Sequence, residues 1–352
     1  MLIARAPMRI SFGGGGTDLE AYYARYGGLV ISTAINKYFY AILTTEESEN
    51  LQVISADYRS LFRHSPYSDL FWNGDLALPK AVLHHFGIRH GLNLFVASEV
   101  PPGTGLGSSS AAAVTLVRAA STLLEHPMTR REVAELACAI EIGKMGMPIG
   151  KQDQYAASFG GLNAITFSSE GVCVEPVKIA PDVRQTLERR LMLFFTGSSR
   201  ESTSILKRQR QSTQEQDEEV LSALHAIKVM AAKMLTCLES GDLDEFARLL
   251  HASWLEKRRL APGLSTDLID ACYTVALEKG ATGGKITGAG GGGFLLLYCP
   301  EPSQEAVTVA LEGQGLKRMN FHFDRQGARV LLNVANADTL RVAPYAEPVL
   351  PY

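Results

Sequence analysis

Cysteine is scarce and scattered in this chain. Five of the 352 residues are cysteines (Cys138, Cys173, Cys237, Cys272 and Cys299), and no two form a Cys-X-X-Cys pair. Such an odd, widely spaced set offers neither a disulfide framework nor zinc-ligand spacing, and it fits reduced, mostly buried thiols. Long apolar runs are also missing. No stretch approaches eighteen consecutive apolar residues, and residues 1–16 lack a charged segment followed by an apolar one. Neither a membrane span nor a secretory leader is predicted, and the expected location is cytoplasmic. Nor is there an excess of charge. A formal net charge of -3 and a pI near 6.3 leave no electrostatic case for nucleic acid or an anionic membrane as partner. Internal repeats are absent. The remaining composition, 46% hydrophobic and 20% charged, is that of a soluble globular protein long enough for two domains.

Glycine, by contrast, is concentrated in three places, at 13–16, 103–107 and 288–293. The chain is organised around the middle one, PPGTGLGSSSA at 101–111. The run before it reads as a strand from Leu92 to Val100, and the Ala- and Leu-rich run after it as a helix from Ala111 to Leu124. Gly103, Gly105 and Gly107 let the backbone approach a ligand closely. Ser108, Ser109 and Ser110 stand where hydroxyls and unpaired N–H groups meet the positive end of the helix dipole. Strand, glycine loop and helix N-terminus together make an anion site, for which phosphate is the commonest ligand and a simple turn the plain alternative. No Gly-Lys-Ser/Thr closes the loop, so it is not a Walker A sequence. The dinucleotide fingerprint fails as well, because Glu125 has nearly the right spacing but stands at a helix end. Gly288–Gly293 formally matches Gly-X-Gly-X-X-Gly, yet a strand follows where that motif needs a helix.

Residues 2–12 alternate and predict a strand interrupted at Pro7. After Gly13–Gly16, Thr17 and Asp18 either cap a helix at Leu19–Tyr26 or take hydroxyls of a polar ligand. A strand pair follows, Leu29–Ile35 and Tyr38–Thr44, with a turn or bulge at Asn36–Lys37. Next come a strand at 51–57, a loop-like segment at 57–75 and an amphipathic helix at Leu76–Phe86. A helix from Arg130 to Met145 carries Glu141, and Pro148 and Gly150 break it. Asp153 then falls at a loop-to-helix junction, where a carboxylate is either a plain cap or held rigidly and partly out of water. Leu162–Phe167 is a further strand. Beyond about residue 185 the texture changes, with a strand at LMLFFTG, a polar helical run from Ser198 to about Glu239, and helices at Leu243–Arg259 and Asp267–Glu278. His251, Trp254 and Arg258 share one stripe, read as packing with a charged end. A helix at Ser303–Gln314 and a strand at Gly327–Asn333 close the second half. The expected domains are 1–185 and 186–340, with 341–352 as a tail.

The three glycine-rich segments resemble the three motifs of the GHMP small-molecule kinases, named for galacto-, homoserine, mevalonate and phosphomevalonate kinases. RAPMRISFGGGGTD is similar to the first motif, PPGTGLGSSSA to the second and KITGAGGGGF to the third. FGGGGTDL, GKQDQYAASFGG and FFTGSSRESTSILKRQ resemble the branch that phosphorylates the anomeric hydroxyl of D-glycero-D-manno-heptose 7-phosphate. That step leads to nucleotide-activated heptose for capsule, lipopolysaccharide or surface-layer glycans. Fucokinase- and galactokinase-like sugar 1-kinases are the neighbouring alternative, and a catalytically silent ligand sensor is the alternative from another class. The resemblance implies an α+β fold of two domains, the first ribosomal-protein-S5-domain-2-like and the second ferredoxin-like.

It also implies ATP and Mg²⁺ as cofactors. Pro102, Gly103, Thr104, Gly105, Leu106, Gly107, Ser108, Ser109 and Ser110 would hold the ATP phosphates, and Ser109 and Glu141 the Mg²⁺, a hard ion that wants oxygen ligands. Asp153 would face the acceptor hydroxyl while Arg9 stabilises charge beside it. Gly14, Gly15, Thr17, Asp18, Lys151, Gly288, Gly290 and Gly291 would form the sugar site. A substrate phosphate needs cations, and Lys37, Lys151, Arg200 and Lys207 are the candidates. Arg200 and Lys207 read equally as a solvated helix face. Adenine would lie on apolar side chains between the second motif and residues 57–75. The partner implied is a small sugar phosphate; a homo-oligomer is left open.

Overall fold

The computed structural model describes residues 1–45, 50–57, 60–64, 72–74, 76–197, 203–335 and 340–342. The first half grows from two strands, β1 (Leu2–Gly13) and β2 (Gly28–Thr45), with the short helix α1 (Glu20–Tyr26) between them. Alternation puts Met8, Ile10 and Phe12 into the core, while Arg9 and Ser11 reach the opposite side and line a cavity. Pro7 does not interrupt the strand. The β1–β2 register jumps between Pro7 and Met8, from Pro7↔Tyr38 to Met8↔Ile35, so the proline that cannot donate falls at a bulge. The same bulge absorbs Asn36 and Lys37, and the expected strand pair is one continuous strand.

The chain continues through β3 (Leu51–Ser55), β4 (Ser60–His64), α2 (Ala77–His85), β5 (Ile88–His90) and β6 (Leu92–Ser98). Then come α3 (Ser108–Leu123), α4 (Arg130–Cys138), α5 (Gln152–Phe159), β7 (Leu162–Ser168) and β8 (Gly171–Pro176). The large sheet runs β1-β2-β6-β3-β4, and β7, with β8 beyond it, pairs with the first half of β2. Residues 60–64, expected in a loop, are therefore an edge strand. Helix α3 lies against β1 and β2. Its run of buried alanines, Ala111 to Ala113 and Ala119 to Ala120, lets it come close to the sheet.

The second half comprises α6 (Pro181–Arg190), β9 (Leu191–Phe195), α7 (Thr203–Gln214), α8 (Glu218–Ser240), α9 (Leu243–Lys257), α10 (Asp267–Glu278), β10 (Gly283–Ile286), β11 (Phe294–Tyr298), α11 (Gln304–Glu312) and β12 (Lys317–Met319). Its antiparallel sheet runs β12-β9-β11-β10, the ferredoxin-like order. The single helical run expected from Ser198 to Glu239 is two helices. Asp217 caps the second, accepting from the Glu219 and Val220 N–H groups. Helix α8 is long and apolar enough to cross a membrane by length and composition. Its buried stripe, Val220, Leu224, Ile227, Ala231, Met234 and Leu238, instead joins the core, where the helix packs on β1 and β2. His251 bonds Tyr273, Trp254 is buried and Arg258 pairs with Asp270, as the packing stripe required.

The last long strand departs from the expected division. β13 (Arg329–Asn333) leaves the second half and pairs antiparallel with the start of β1, and β14 (Arg341–Val342) pairs with β5. The residues expected to close the second domain are thus part of the first sheet.

Candidate active site

The head of α3 is the floor of the site. Gly103, Gly105 and Gly107 all take positive φ, and the helix begins at Ser108, three residues before the expected start. Ser108, Ser109 and Ser110 therefore occupy its first turn, where backbone N–H groups have no intrahelical acceptor. All three line a cavity, as do Gly103, Gly105 and Gly107. Thr104 and Leu106 do not. Leu106 lies in the core, and Thr104 donates to the Pro101 carbonyl at 2.8 Å, so both hold the shape of the loop from beneath. Pro102 faces a second, mostly apolar cavity on the other side of the loop, with Phe39, Leu76, Pro79, Val96 and Ala112.

Arg9 reaches across from β1. Its Nε and Nη2 each donate to an oxygen of Asp153 at 2.7 Å, and Nη1 donates to the Gly105 carbonyl at 2.6 Å. This two-point pairing fixes the plane of the carboxylate. The side chain of Arg9 is 4% exposed and that of Asp153 23%, which leaves Asp153 as the member a ligand can reach. Asp153 is not the cap of α5; Lys151 holds that position.

Glu141 stands beside the loop on a π-helical turn, Ala139–Lys144, that continues α4. The expected helix is continuous to Lys144, but its wide last turn redirects this side chain, a device common at functional sites. Glu141 accepts from Ser109 Oγ and Gln154 Nε2, both at 2.7 Å. Burial pushes its carboxyl up to about 7, against the pull of those hydrogen bonds.

Asp18 forms the wall opposite. Its oxygens accept from the Gly16 and Gln152 N–H groups and from Gln152 Nε2. Burial, with Asp153 nearby, holds its carboxyl above the usual range. Gly150 is required here, because a Cβ on it would meet Asp18 Oδ2 at 1.9 Å. The last glycine turn covers the cavity, with Gly288 and Gly290 at its edge.

Some expected contacts are not made. Thr17 is fully buried and its hydroxyl bonds the Gly14 and Leu29 carbonyls, so Thr17 and Gly14 brace the loop that presents Gly15 and Asp18. The Gly291 N–H is spent on the Leu264 carbonyl. Lys151 turns away, its ammonium over the Tyr23 ring. Lys37 and Lys207 are not in the cavity wall, and Arg200 lies outside the described residues.

Three glycine segments, far apart in sequence, therefore line one cleft together with the Arg9–Asp153 pair. Comparison with known proteins agrees with this geometry. Residues 76–161 match the model of the GHMP kinase N-terminal domain and residues 234–315 that of the C-terminal domain. The chain is 32% identical over 331 residues to a Campylobacter jejuni protein named D-glycero-alpha-D-manno-heptose 7-phosphate kinase, covering 92% of this chain and 97% of that one. It belongs to the GHMP kinases. A crystal structure named for a D-glycero-D-manno-heptose 1-phosphate kinase of Bacteroides thetaiotaomicron superposes with a TM-score of 0.80 at 28% identity, covering 95% of this chain and all of that one. The L-fucokinase/L-fucose-1-P guanylyltransferase of Bacteroides fragilis is 25% identical over 87% of this chain, which spans 35% of that longer protein.

As in other GHMP kinases, ATP is the phosphoryl donor. Several side chains of this kinase's site have no individual signal in sequence. Ser11 Oγ, Gln152 Oε1 and Gln209 Nε2 line the cavity buried and, among the described residues, without a hydrogen-bond partner. Unpaired polar atoms aimed into a cleft are what a ligand rich in hydroxyls would satisfy. Lys257 and Lys285 line it as well, and both are more than nine-tenths buried. Lys285 stands inside the third motif, KITGAGGGGF, and was legible as a member of it; Lys257, at the last turn of α9, reads as an ordinary helix-end lysine.

Proposed function

We propose that the kinase transfers the γ-phosphoryl group of ATP to the anomeric hydroxyl of D-glycero-D-manno-heptose 7-phosphate, giving the 1,7-bisphosphate. The observation that carries this is the Asp153 carboxylate, clamped by Arg9, facing the serine-rich head of α3 across one cleft. Phosphoryl transfer needs positioning and charge neutralisation more than covalent chemistry, and the cleft supplies both. Each Asp153 oxygen keeps a lone pair beyond its bond to Arg9, so the acceptor hydroxyl can donate to it and be aimed at the γ-phosphorus. Asp18, Ser11, Gln152 and Gln209, all in the cavity wall, would bond the remaining sugar hydroxyls. The adenine ring fits the apolar cavity behind Pro102.

Ser109 and Glu141 fit a Mg²⁺ ion. Both offer oxygen, and Glu141 is a buried carboxylate whose hydrogen-bond partners among the described residues, Ser109 and Gln154, are neutral, so a divalent cation would compensate its charge. Bound there with ATP, Mg²⁺ supplies charge neutralisation on the phosphates.

The alternative acceptor is an unphosphorylated sugar, favoured by the likeness to the L-fucokinase. Release of ADP is measured with ATP and, in turn, the heptose 7-phosphate, mannose 6-phosphate, free fucose and free galactose. Turnover on the free sugars alone would replace the heptose-phosphate assignment. Asp153→Ala should lower kcat by about 10²–10⁴-fold with ATP binding retained.

A further inference from the structure

Two lysines of the second half project into the reaction cleft, and neither the phosphate loop nor the Arg9–Asp153 pair accounts for them. Lys257 is the last residue of α9, and its ammonium donates to the Gly288 carbonyl. Lys285 sits on β10, and its ammonium donates to the Phe12 carbonyl of β1 at 3.2 Å. They are 8% and 3% exposed, and among the described residues neither makes an ion pair. The two carboxylates nearby are already engaged, Asp153 by Arg9 and Asp18 by Gly16 and Gln152. Two buried lysines beside Arg9 are costly to keep charged unless an anion completes the set.

Their position says which anion. Gly288, the acceptor of Lys257, stands directly against Gly105 of the phosphate loop, since a Cβ on it would come within 2.3 Å of Gly105 Cα. Gly105 in turn accepts from Arg9. Lys257 thus stands where the phosphate loop, the arginine–aspartate pair and the last glycine turn meet.

We propose that Lys257, backed by Lys285, is a catalytic cation that binds the oxygens of the phosphoryl group in transit and neutralises the charge it carries between ADP and the acceptor. The step is the transfer itself. The acceptor oxygen bonds to the γ-phosphorus, the bond to the β–γ bridging oxygen breaks, and ADP leaves with that electron pair. The hydroxyl proton goes to Asp153 or, through it, to water. Lys257 neither gives nor takes a proton in the step and acts by its charge.

The charge is conditional. Burial, followed by the proximity of Arg9, pulls the Lys257 ammonium down to about 8, while Asp18 and Asp153 pull the other way. Burial, then Lys257 and Arg9, also depresses the Lys285 ammonium, well below the usual lysine value. The groups facing Lys257 are therefore Arg9 on β1, Asp18 before α1, Asp153 on α5 and Lys285 on β10. A cation is useful only while protonated, so kcat/KM should fall as pH rises through about 8.

This inference rests on the kinase reading, and the test separates the two. Wild type, Lys257→Met, Lys257→Arg and Lys285→Met are assayed for ADP release from ATP with heptose 7-phosphate and with the unphosphorylated heptose, from pH 6 to 10. Lys257→Met is expected to lose about 100-fold in kcat, the scale of one oriented charge in a water-poor site, with both KM values little changed. Lys257→Arg should recover part of kcat and lose the alkaline fall, because arginine stays charged. Lys285→Met should lose less than Lys257→Met. The ratio of kcat/KM for phosphorylated over unphosphorylated acceptor should be the same in Lys257→Met as in wild type. A collapse of that ratio would put the lysines on the acceptor's own phosphate and overturn the assignment. Wild-type kcat in Lys257→Met would overturn it too. A wild type that phosphorylates neither heptose at any pH refutes the heptose assignment rather than the role of Lys257.

Discussion

At the scale of single residues, the site is a balance of buried charges. Arg9 and Asp153 satisfy each other, whereas Lys257 is held in the fold at a cost. An unfolded lysine titrates near 10.5 and the folded Lys257 at about 8. Between those values the unfolded chain carries a proton that the folded chain lacks, so raising the pH favours folding; below about 8 both are charged and the burial penalty is complete. The gap corresponds to roughly 3 kcal/mol. Lys257→Met should therefore melt above wild type at pH 7, with the difference shrinking as pH approaches 10.5. Thermal unfolding across that range checks this. A variant that melts lower throughout would mean that Lys257 is a packing residue. A more stable but nearly inactive enzyme is the signature of a charge kept for chemistry.

At the scale of elements, the head of α3 is the most exacting. Gly107 is its N-cap, with φ +77°, and a Cβ there would lie 3.3 Å from the Asp153 carboxyl carbon and 3.4 Å from Arg9 Cγ. Gly107→Ala should cost about 1 kcal/mol of stability through the left-handed backbone, and about tenfold or more in kcat by shifting the carboxylate. Calorimetry and steady-state kinetics on the one variant read both. The role of this loop was legible in sequence because glycine spacing and helix propensity are local. β2 was not, because Asn36–Lys37 is a turn by composition, and only its pairing with a bulged β1 makes it strand. Glu141 was legible as a helical residue near Ser109's partner position in the family pattern, but its aim depends on a π-helical turn that no periodicity announces. Lys151 failed for a related reason. Its neighbours Gln152 and Asp153 enter the site, yet its own side chain finds the Tyr23 ring.

At the scale of the whole molecule, the cleft exists because two sheets meet at glycines. β1 runs from its edge partner β13 to the Arg9 face, and α8 and α9 bring the second half against it. That also explains why Lys257 and Gln209 escaped the sequence: each becomes a wall of the site only when its half docks, and docking leaves no local trace. The join itself is backbone on backbone. A Cβ on Gly288 would lie 2.3 Å from Gly105 Cα, one on Gly105 would lie 2.5 Å from the Thr287 carbonyl oxygen, and one on Gly293 would lie 2.3 Å from that of Thr104. No side chain can move aside to relieve these contacts, so Gly288→Ala must wedge the third glycine segment off the phosphate loop. Neither sheet contains Gly288, so far-UV circular dichroism should stay that of wild type. The Arg9–Asp153 pair should survive, because both residues belong to the first half. Lys257 should lose its place over the loop along with the Gly288 carbonyl. Displacement of about 1 Å at a reaction centre costs on the order of 100-fold. Gly288→Ala should therefore lose at least that much in kcat/KM for ATP and acceptor alike, and combining it with Lys257→Met should add little, because both remove the same cation from the same place. Additive losses in the double variant would mean that the glycine contact and the lysine act separately.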